Sequence, residues 1–88
     1  MKIIKPAQSG TMQSSDLMIY LEPSDKLSIE IESTVKQQFE HLIRAKVEEV
    51  LRAHQVTSGE SRINDRGALD YAIAARLEAG LKRASGED

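Results

Sequence analysis

The sequence predicts a small α+β protein, a two-layer sandwich in which two helices pack on one face of a short three-stranded sheet. Three observations lead to this prediction. The elements follow in the order strand, strand, helix, strand, helix (ββαβα), each helix has a single apolar stripe, and the second strand has one apolar face. These surfaces are buried most economically when both helices cover the same face of the sheet. With 88 residues, the chain is expected to form one domain over residues 1–88.

The N-terminal segment, residues 1–9, is short and mixed in character. Pro6 disfavours a helix there and biases Lys5 towards an extended conformation. Ser9 and Gly10 together predict a turn or bend. We therefore expect no regular element before the first apolar run.

Two apolar runs separated by a turn cluster predict a pair of strands. Residues 16–21 are strongly apolar, and one face of this strand carries Leu17, Ile19 and Leu21. Residues 22–26 include Pro23 and form the turn. Residues 27–32 then alternate, with Leu27, Ile29 and Ile31 facing inward. The two runs are expected to pair as an antiparallel hairpin.

The first predicted helix begins near a capping-box pattern, Thr34 followed by Gln37. Its apolar stripe consists of Val35, Phe39, Leu42, Ile43, Val47, Val50 and Leu51. A loop at residues 57–59 and a short third strand through Ile63 follow. A right-handed crossover would place the second and third strands side by side, or with one strand between them.

The second predicted helix is capped by Asn64 or Asp65. Its apolar stripe consists of Leu69, Ala72, Ile73, Leu77 and Leu81. Gly80 lies on the same stripe, which indicates close approach to another backbone at a cost of about 1 kcal/mol relative to alanine. The tail, residues 85–88, is expected to fray.

Composition and charge exclude several functional classes. The net charge is −2 with both signs interspersed, which argues against nucleic acid as a partner. The sequence has no apolar run near the roughly 18 residues of a membrane span, and it lacks the apolar stretch of a signal peptide, so we expect no membrane association and a cytoplasmic location. The absence of cysteine removes disulfides, thiolate nucleophiles and cysteine metal sites.

The most informative stretch is residues 10–18, GTMQSSDLM. It resembles the site of the citrate lyase acyl carrier protein (gamma chain) family, in which a serine in a Gly-Thr-x-x-Ser-x-Asp setting carries a CoA-derived group through a phosphodiester bond. The residues at 1–3 (MKI) and at 6–7 (PA), together with those at 65–84, also match this family, so the resemblance covers nearly the whole chain. Ser14 is the serine that matches.

The resemblance implies a non-catalytic carrier phosphoprotein of bacterial citrate fermentation. Ser14 would carry a covalent 2'-(5''-phosphoribosyl)-3'-dephospho-CoA arm, and the thiol of this phosphopantetheine-like prosthetic group would hold acetyl and citryl thioesters while citrate is cleaved to acetate and oxaloacetate. The implied partners are the alpha and beta subunits of citrate lyase, the transferase that attaches the prosthetic group and the ligase that acetylates it. Lys2 and Lys5 could neutralise the phosphates, although solvated lysines are the simpler interpretation.

Physical chemistry alone does not single out Ser14. A serine beside another short polar residue is usually a solvated turn residue, and no base or orienting group for a nucleophile can be placed near it. An exposed loop at a strand end does suit a modification site. Ser15 is a less favoured attachment point. The chain departs from the family pattern at two positions, since many family members have glutamate at the position of Gln13 and glycine at that of Ser15. Asp16 could order the loop or contact the modifying enzyme, and it could equally be a plain turn residue.

Two alternatives remain open. The carrier of malonate decarboxylase is similar in using the same arm. An unmodified α+β interaction module is the other, with Tyr71, Ala68 and Ala75 as a small docking stripe on the second helix. An enzyme acting alone is disfavoured, because the sequence shows no convergent set of acid, base and nucleophile.

The remaining polar candidates have simpler explanations. His41 and His54 lie thirteen positions apart and lack ligand partners at metal spacing, so no metal site is predicted. Lys46 and Arg76 fall within or beside apolar stripes. We expect each to bury its aliphatic stem while its charged end reaches solvent.

Overall fold

The computed structural model describes residues 1–33 and 39–86, which form four strands and two helices. The strands are β1 (Ala7–Gly10), β2 (Leu17–Glu22), β3 (Leu27–Ser33) and β4 (Gly59–Asp65). The helices are α1 (Glu40–Ala53) and α2 (Asp70–Ser85). The predicted α+β class is confirmed, and β1 is one strand more than predicted.

The additional strand, β1, pairs antiparallel with β2, from Ala7 opposite Leu21 to Gly10 opposite Met18. Its sequence, AQSG, has no apolar alternation, and among its four residues only Ser9 is buried. The strand is therefore defined by backbone pairing to β2 and not by an apolar face of its own. This is why the sequence pattern did not predict it.

The sheet has the order β1-β2-β4-β3, so the predicted hairpin between β2 and β3 is wrong. β4 lies between them, antiparallel to β2 and parallel to β3. The strongly apolar β2 gains a partner on each side, whereas β3, which carries Glu30 and Glu32, forms an edge of the sheet where charge discourages further pairing. The adjacency of β3 and β4, which α1 connects, agrees with the prediction for that crossover.

The core lies between the sheet and the two helices, which pack on the same face as predicted. The strands contribute Leu17, Ile19, Leu21 and Ile63 to it, and the helices contribute Ile43, Val47, Val50, Leu51, Ile73, Leu77, Leu81 and Ala84. Gly80 lies where α2 crosses the first two strands. A Cβ built on it would lie 3.2 Å from Leu21 Cδ1 and 3.4 Å from Ser9 Cβ, so the close approach is to strand side chains, and the prediction that it is to another backbone is wrong.

The start of α2 differs from the prediction. Asn64 and Asp65 belong to β4, and the residue before the helix is Leu69, which makes no side-chain capping bond. The Asp65 carboxylate instead accepts hydrogen bonds from Ala68 N and from Ser33 Oγ, each at 3.0 Å. A strand-end aspartate thus orders the β4–α2 connection and ties β3 to it.

Three residues of the predicted apolar stripes are exposed, Phe39 at 44%, Leu42 at 54% and Leu69 at 60%, and Leu27, predicted to face inward from its strand, is 44% exposed. The predicted capping box (Thr34 and Gln37) and Val35 lie outside the described residues. In the predicted tail, Ser85 is the last residue of α2 and Gly86 follows in a left-handed conformation, while residues 87–88 also lie outside. Over the described ranges, neither helix combines the length and the apolar character needed to cross a membrane.

Candidate functional site

The β1–β2 loop, residues 11–16, contains both candidate serines and starts from a glycine that the geometry requires. Gly10 has φ +100°, and a Cβ at this position would lie 1.9 Å from the carbonyl oxygen of Leu17. The N–H of Thr11 donates to that same oxygen at 3.0 Å. Gly10 therefore lets the two strands stay close together while the loop leaves the sheet.

Ser14 lies at the outer corner of a tight turn within this loop. The N–H of Asp16 donates to the carbonyl of Gln13 at 3.2 Å, which closes a four-residue turn with Ser14 and Ser15 at its centre. Ser15 has φ +64°, a conformation that type II turns require at their third position and that favours glycine. Ser14 is exposed, and its hydroxyl makes no hydrogen bond to any part of the chain that the structure describes.

The backbone of the β1–β2 loop is fastened to the connection between β4 and α2. The N–H of Ser15 donates to the carbonyl of Arg66 at 2.8 Å, and the N–H of Arg66 donates to the carbonyl of Asp16 at 2.8 Å. These reciprocal bonds extend the pairing of β2 and β4 beyond the sheet. They fix the backbone of Ser15 and Asp16, while the side chains of Ser14 and Ser15 both stay exposed.

Asp16 organises the loop through its carboxylate. Oδ2 accepts from Thr11 Oγ1 at 2.6 Å, and Oδ1 accepts from the N–H of Leu17 at 2.8 Å. The guanidinium of Arg76 adds a two-point contact, with Nη2 at 2.8 Å from Oδ2 and Nε at 3.2 Å from Oδ1. The Thr11 hydroxyl also accepts from the N–H of Gln13 at 3.2 Å, so the carboxylate fixes both ends of the loop.

These contacts stabilise the ionised carboxylate. Hydrogen bonds from Thr11, Arg76 and the backbone of Leu17, in that order, lower the pKa of Asp16 from 3.8 to about 2. Asp16 is therefore negatively charged at neutral pH, and its charge is balanced by Arg76. Of the roles considered for Asp16, this geometry describes one that orders the loop.

Arg76 is the site residue that the sequence analysis missed. It was expected to extend towards solvent, and its guanidinium is instead engaged with Asp16, sixty positions earlier in the chain. No local pattern connects residues so far apart. The only hint was a charged residue beside the apolar stripe of α2, and that hint does not identify a partner.

A groove lies between the β1–β2 loop and α2, with a volume of about 640 Å³. We call it the α2 groove. It is lined by Ser9, Gly10, Gln13, Ser14, Ser15, Asp16, Tyr71, Ala72, Ala75, Arg76, Ala79 and Arg83. Both candidate serines thus lie at one end of a concave surface that follows the helix.

Of the predicted docking stripe, Tyr71, which is 74% exposed, and Ala75 line the groove, whereas Ala68 does not, and the other predicted candidates lie elsewhere. Lys2 and Lys5 do not line it, and the backbone N–H of Lys5 bonds to Ala84 at the opposite end of α2. His54 ends α1, with Nε2 3.8 Å from Glu78 Oε2. Among the described residues, no cluster of three histidine or acidic side chains could hold a metal ion.

Lys46, expected to extend its ammonium group into solvent, pairs there with an acidic neighbour on the same helix. Its Nζ lies 2.8 Å from Glu49 Oε2. Hydrogen bonding to Glu49 raises the pKa of Lys46. This is a surface helix pair, and it plays no part in the β1–β2 loop.

The sequence matches a family of carrier proteins. The family model described as malonate decarboxylase delta subunit (MdcD), an acyl carrier protein, matches residues 4–84. The chain is 48% identical over 86 residues to the citrate lyase acyl carrier protein of Vibrio cholerae, covering 96% of this chain and 88% of the relative. It is 44% identical over 87 residues to that of Haemophilus influenzae, covering 99% and 92%.

Solved structures show the same fold. A chain of the Pseudomonas malonate decarboxylase hetero-tetramer in complex with malonate superposes with a TM-score of 0.80 at 25% identity, covering 93% of this chain and 86% of that one. The RNase P protein of Staphylococcus aureus superposes with a TM-score of 0.55 at 16% identity, covering 85% and 81%. The second likeness is one of fold alone.

Proposed function

This chain belongs to the acyl carrier protein family whose model spans residues 4–84, and on that premise we propose that it is the acyl carrier subunit of citrate lyase. The resemblance identified from the sequence is confirmed by relatives 42–48% identical over nearly the full chain. These relatives are named as carrier proteins, which are subunits that present an acyl group and are not themselves catalysts. Beyond this role, we propose the substrate, the prosthetic group and the serine that carries it.

The observation that carries the proposal is the difference in identity between the two candidate carriers. Identity to citrate lyase acyl carrier proteins is 42–48% with 88–92% of each relative covered, whereas identity to the malonate decarboxylase chain is 25%. The same fold is compatible with both functions, so the fold does not separate them. The sequence relation favours citrate lyase.

We place the arm on Ser14 because it matches the serine of the family motif and because its hydroxyl is exposed on an ordered turn, although the side chain of Ser15 is exposed as well. Ser14 is exposed and free of hydrogen bonds within the described chain, on a loop that Asp16 and Arg76 hold in one shape. Ser15 occupies the turn position that favours glycine, and its N–H is bonded to Arg66. An exposed loop accommodates phosphate charge that a buried one would not.

The groove that begins at Ser14 fits a phosphate-bearing arm. It is lined by Arg76, whose guanidinium is engaged with Asp16, and at its far end by Arg83, whose guanidinium is a donor type well suited to phosphate oxygens. When attached, the arm supplies a thiol that holds acetyl and citryl groups as thioesters. The protein would hold the arm's origin in place and confine its end near the catalytic subunits, where tethering raises the effective concentration.

The proposed partners are the alpha and beta subunits of citrate lyase, the transferase that attaches the arm and the acetylating ligase, in a bacterial cytoplasm. Relatives of this kind act in multi-subunit complexes, and the Pseudomonas chain comes from a hetero-tetramer. An exposed loop on a small body leaves most of the molecule available for such contacts.

The test is intact-mass measurement with peptide mapping on the chain isolated from its own organism grown on citrate. We expect a large phosphate-containing adduct on the peptide that holds both serines, with fragmentation placing it on Ser14. Ser14→Ala should abolish the adduct, and Ser15→Ala, the matched control, should retain it. A bare chain from cells with active citrate lyase would refute the carrier proposal and favour the interaction module.

Malonate decarboxylase is the second candidate, because the matching family model and the superposed hetero-tetramer both bear its name. Reconstitution separates the two. Loaded carrier should restore citrate cleavage to carrier-depleted citrate lyase and should not restore malonate decarboxylation. The reverse result would assign the chain to the decarboxylase.

A further inference from the structure

The α2 groove begins at the proposed attachment point and extends along α2 beyond the residues that surround Ser14. Ser14 lines one end, and the groove follows α2 from Tyr71 to Arg83. Twelve residues of helix at 1.5 Å per residue give a length of roughly 18 Å. A flexible group leaving Ser14 therefore has an extended concave surface directly beside it.

The charges along the groove favour an anionic occupant. Asp16 is the carboxylate of the lining, and its charge is balanced by Arg76. Arg83 lies two helical turns further along, and none of the ion pairs within the described residues involves it. Its Nη1 donates to the carbonyl of Gln8 at 2.8 Å, which anchors the side chain over β1 and leaves other N–H groups of the guanidinium available. The groove thus carries one uncompensated positive charge at the end remote from Ser14.

The shape of the groove suits a flat ring. On the side of α2, the groove is lined by Ala72, Ala75 and Ala79, whose small side chains project little from the helix. The ring of Tyr71 is 74% exposed. An aromatic ring with a free face beside a low surface is suited to stacking against another ring.

We propose that the α2 groove is a docking seat for the arm that Ser14 carries, with Arg83 contacting the arm's diphosphate and Tyr71 stacking on its adenine. This inference depends on the proposed function, because it requires the arm to be attached. It goes beyond that function by giving the carrier a closed state, in which the arm lies along α2, and an open state, in which the arm reaches a catalytic subunit.

Because the arm is covalently tethered, weak contacts are sufficient to hold it in the groove. A group attached by a short flexible link experiences an effective concentration in the millimolar range, so even a contact with a millimolar dissociation constant is substantially occupied. A shallow groove is therefore sufficient to bind the arm. An easily reversed contact is also what a carrier requires if its arm is to leave for a partner.

The test compares amide chemical shifts of the bare and the arm-loaded protein by NMR, after mass measurement has established that the loaded sample carries the adduct. We expect shift changes at Ala75, Ala79 and Arg83, in addition to those around Ser14. Arg83→Gln should remove most of the changes at the far end. Lys82→Gln, which removes the same charge from the neighbouring exposed residue outside the groove, should leave them in place.

The outcomes separate this inference from the proposed function. A protein that carries no adduct contradicts the proposed function itself. A loaded protein whose shift changes stay within the β1–β2 loop and its immediate contacts overturns the docking seat and leaves the carrier function intact. Equal effects of Arg83→Gln and Lys82→Gln would also overturn it, because the contact would then be general charge attraction.

Discussion

The conformation of Ser15 shows how one residue of the site departs from its local preference. With φ +64°, Ser15 adopts a left-handed conformation that costs a residue with a Cβ roughly 1–2 kcal/mol. We expect Ser15→Gly to raise the free energy of unfolding by up to about 1 kcal/mol, reduced by the greater freedom of glycine in the unfolded chain. Urea denaturation measures this. Ser14→Gly, at a position without positive φ, should be neutral or destabilising, and an equal gain there would contradict the explanation.

Gly10 tests the steric requirement at the start of the loop. Gly10→Ala should lower the free energy of unfolding by about 2–3 kcal/mol, because the new Cβ would overlap the Leu17 carbonyl oxygen as well as strain the backbone. Gly67→Ala is the matched control. Its φ of +95° is close to the +100° of Gly10, but its Cβ would make only an ordinary van der Waals contact, 3.9 Å from Ser15 Cα. Thermal unfolding of the two variants should separate the overlap from the conformational cost of roughly 1–2 kcal/mol, and similar losses would exclude a steric role.

Two serines on neighbouring strands should respond in opposite directions to loss of the hydroxyl. Ser61 is fully buried, and its Oγ has no hydrogen-bond partner among the described residues, so Ser61→Ala should raise the free energy of unfolding by about 0.5–1 kcal/mol. Ser33 donates to the buried Asp65, so Ser33→Ala should lower it by about 1–2 kcal/mol. Chemical denaturation of both variants measures the contrast. A loss of stability in Ser61→Ala would show that its hydroxyl is satisfied.

At the scale of elements, the contact of Asp16 with Arg76 ties the β1–β2 loop to α2 and makes that link sensitive to pH. The pKa of Asp16 is about 2 in the folded protein and 3.8 in its ordinary state, so its contribution to stability is complete above about pH 4 and is lost as the pH falls towards 2. Asp16→Asn removes this titration. We expect the wild type to be the more stable protein at neutral pH and the difference to shrink over this acid range, as measured by urea midpoints. A difference independent of pH would contradict the assignment.

The sequence predicted the elements better than it predicted their partners. Alternation identified β2 and β3, and helical periodicity identified α1 and α2, because each buries a face that repeats regularly. β1 has no such face, and the order of the sheet depends on whether β3 or β4 supplies the neighbour of β2. An apolar strand accepts either, so its pattern does not decide the pairing.

The same contrast between local patterns and contacts made on folding applies to the site. Ser14 is proposed from the family resemblance, which rests on a recognisable local motif, and it stays a prediction. The contacts that shape the loop were not found, because Arg76 and Arg66 reach it only once the chain has folded. The resemblance implies glycine at the position of Ser15. The turn explains this preference, because its backbone has a positive φ at that residue.

At the scale of the whole molecule, the order of the strands predicts which backbone amides are best protected from hydrogen exchange. β2 and β4 are each bonded on both sides, whereas β1 and β3 each have one neighbour. In hydrogen exchange, amides in the middle of β2 and β4, such as those of Ile19 and Ile63, should exchange more slowly than those of the two outer strands. Protection in β3 equal to that in β4 would argue against this order.

The position of β4 in the sheet also has a consequence for synthesis on the ribosome. The strand that joins the two parts of the sheet is residues 59–65, and Arg76, which fixes the loop around Ser14, emerges later still. Until β4 emerges, the only strand pairing of the sheet that the nascent chain can form is that of β1 with β2, and β3 has no neighbour in the sheet. The loop around Ser14, made early, acquires its shape among the last events of translation, so that shape distinguishes a finished chain from a fragment.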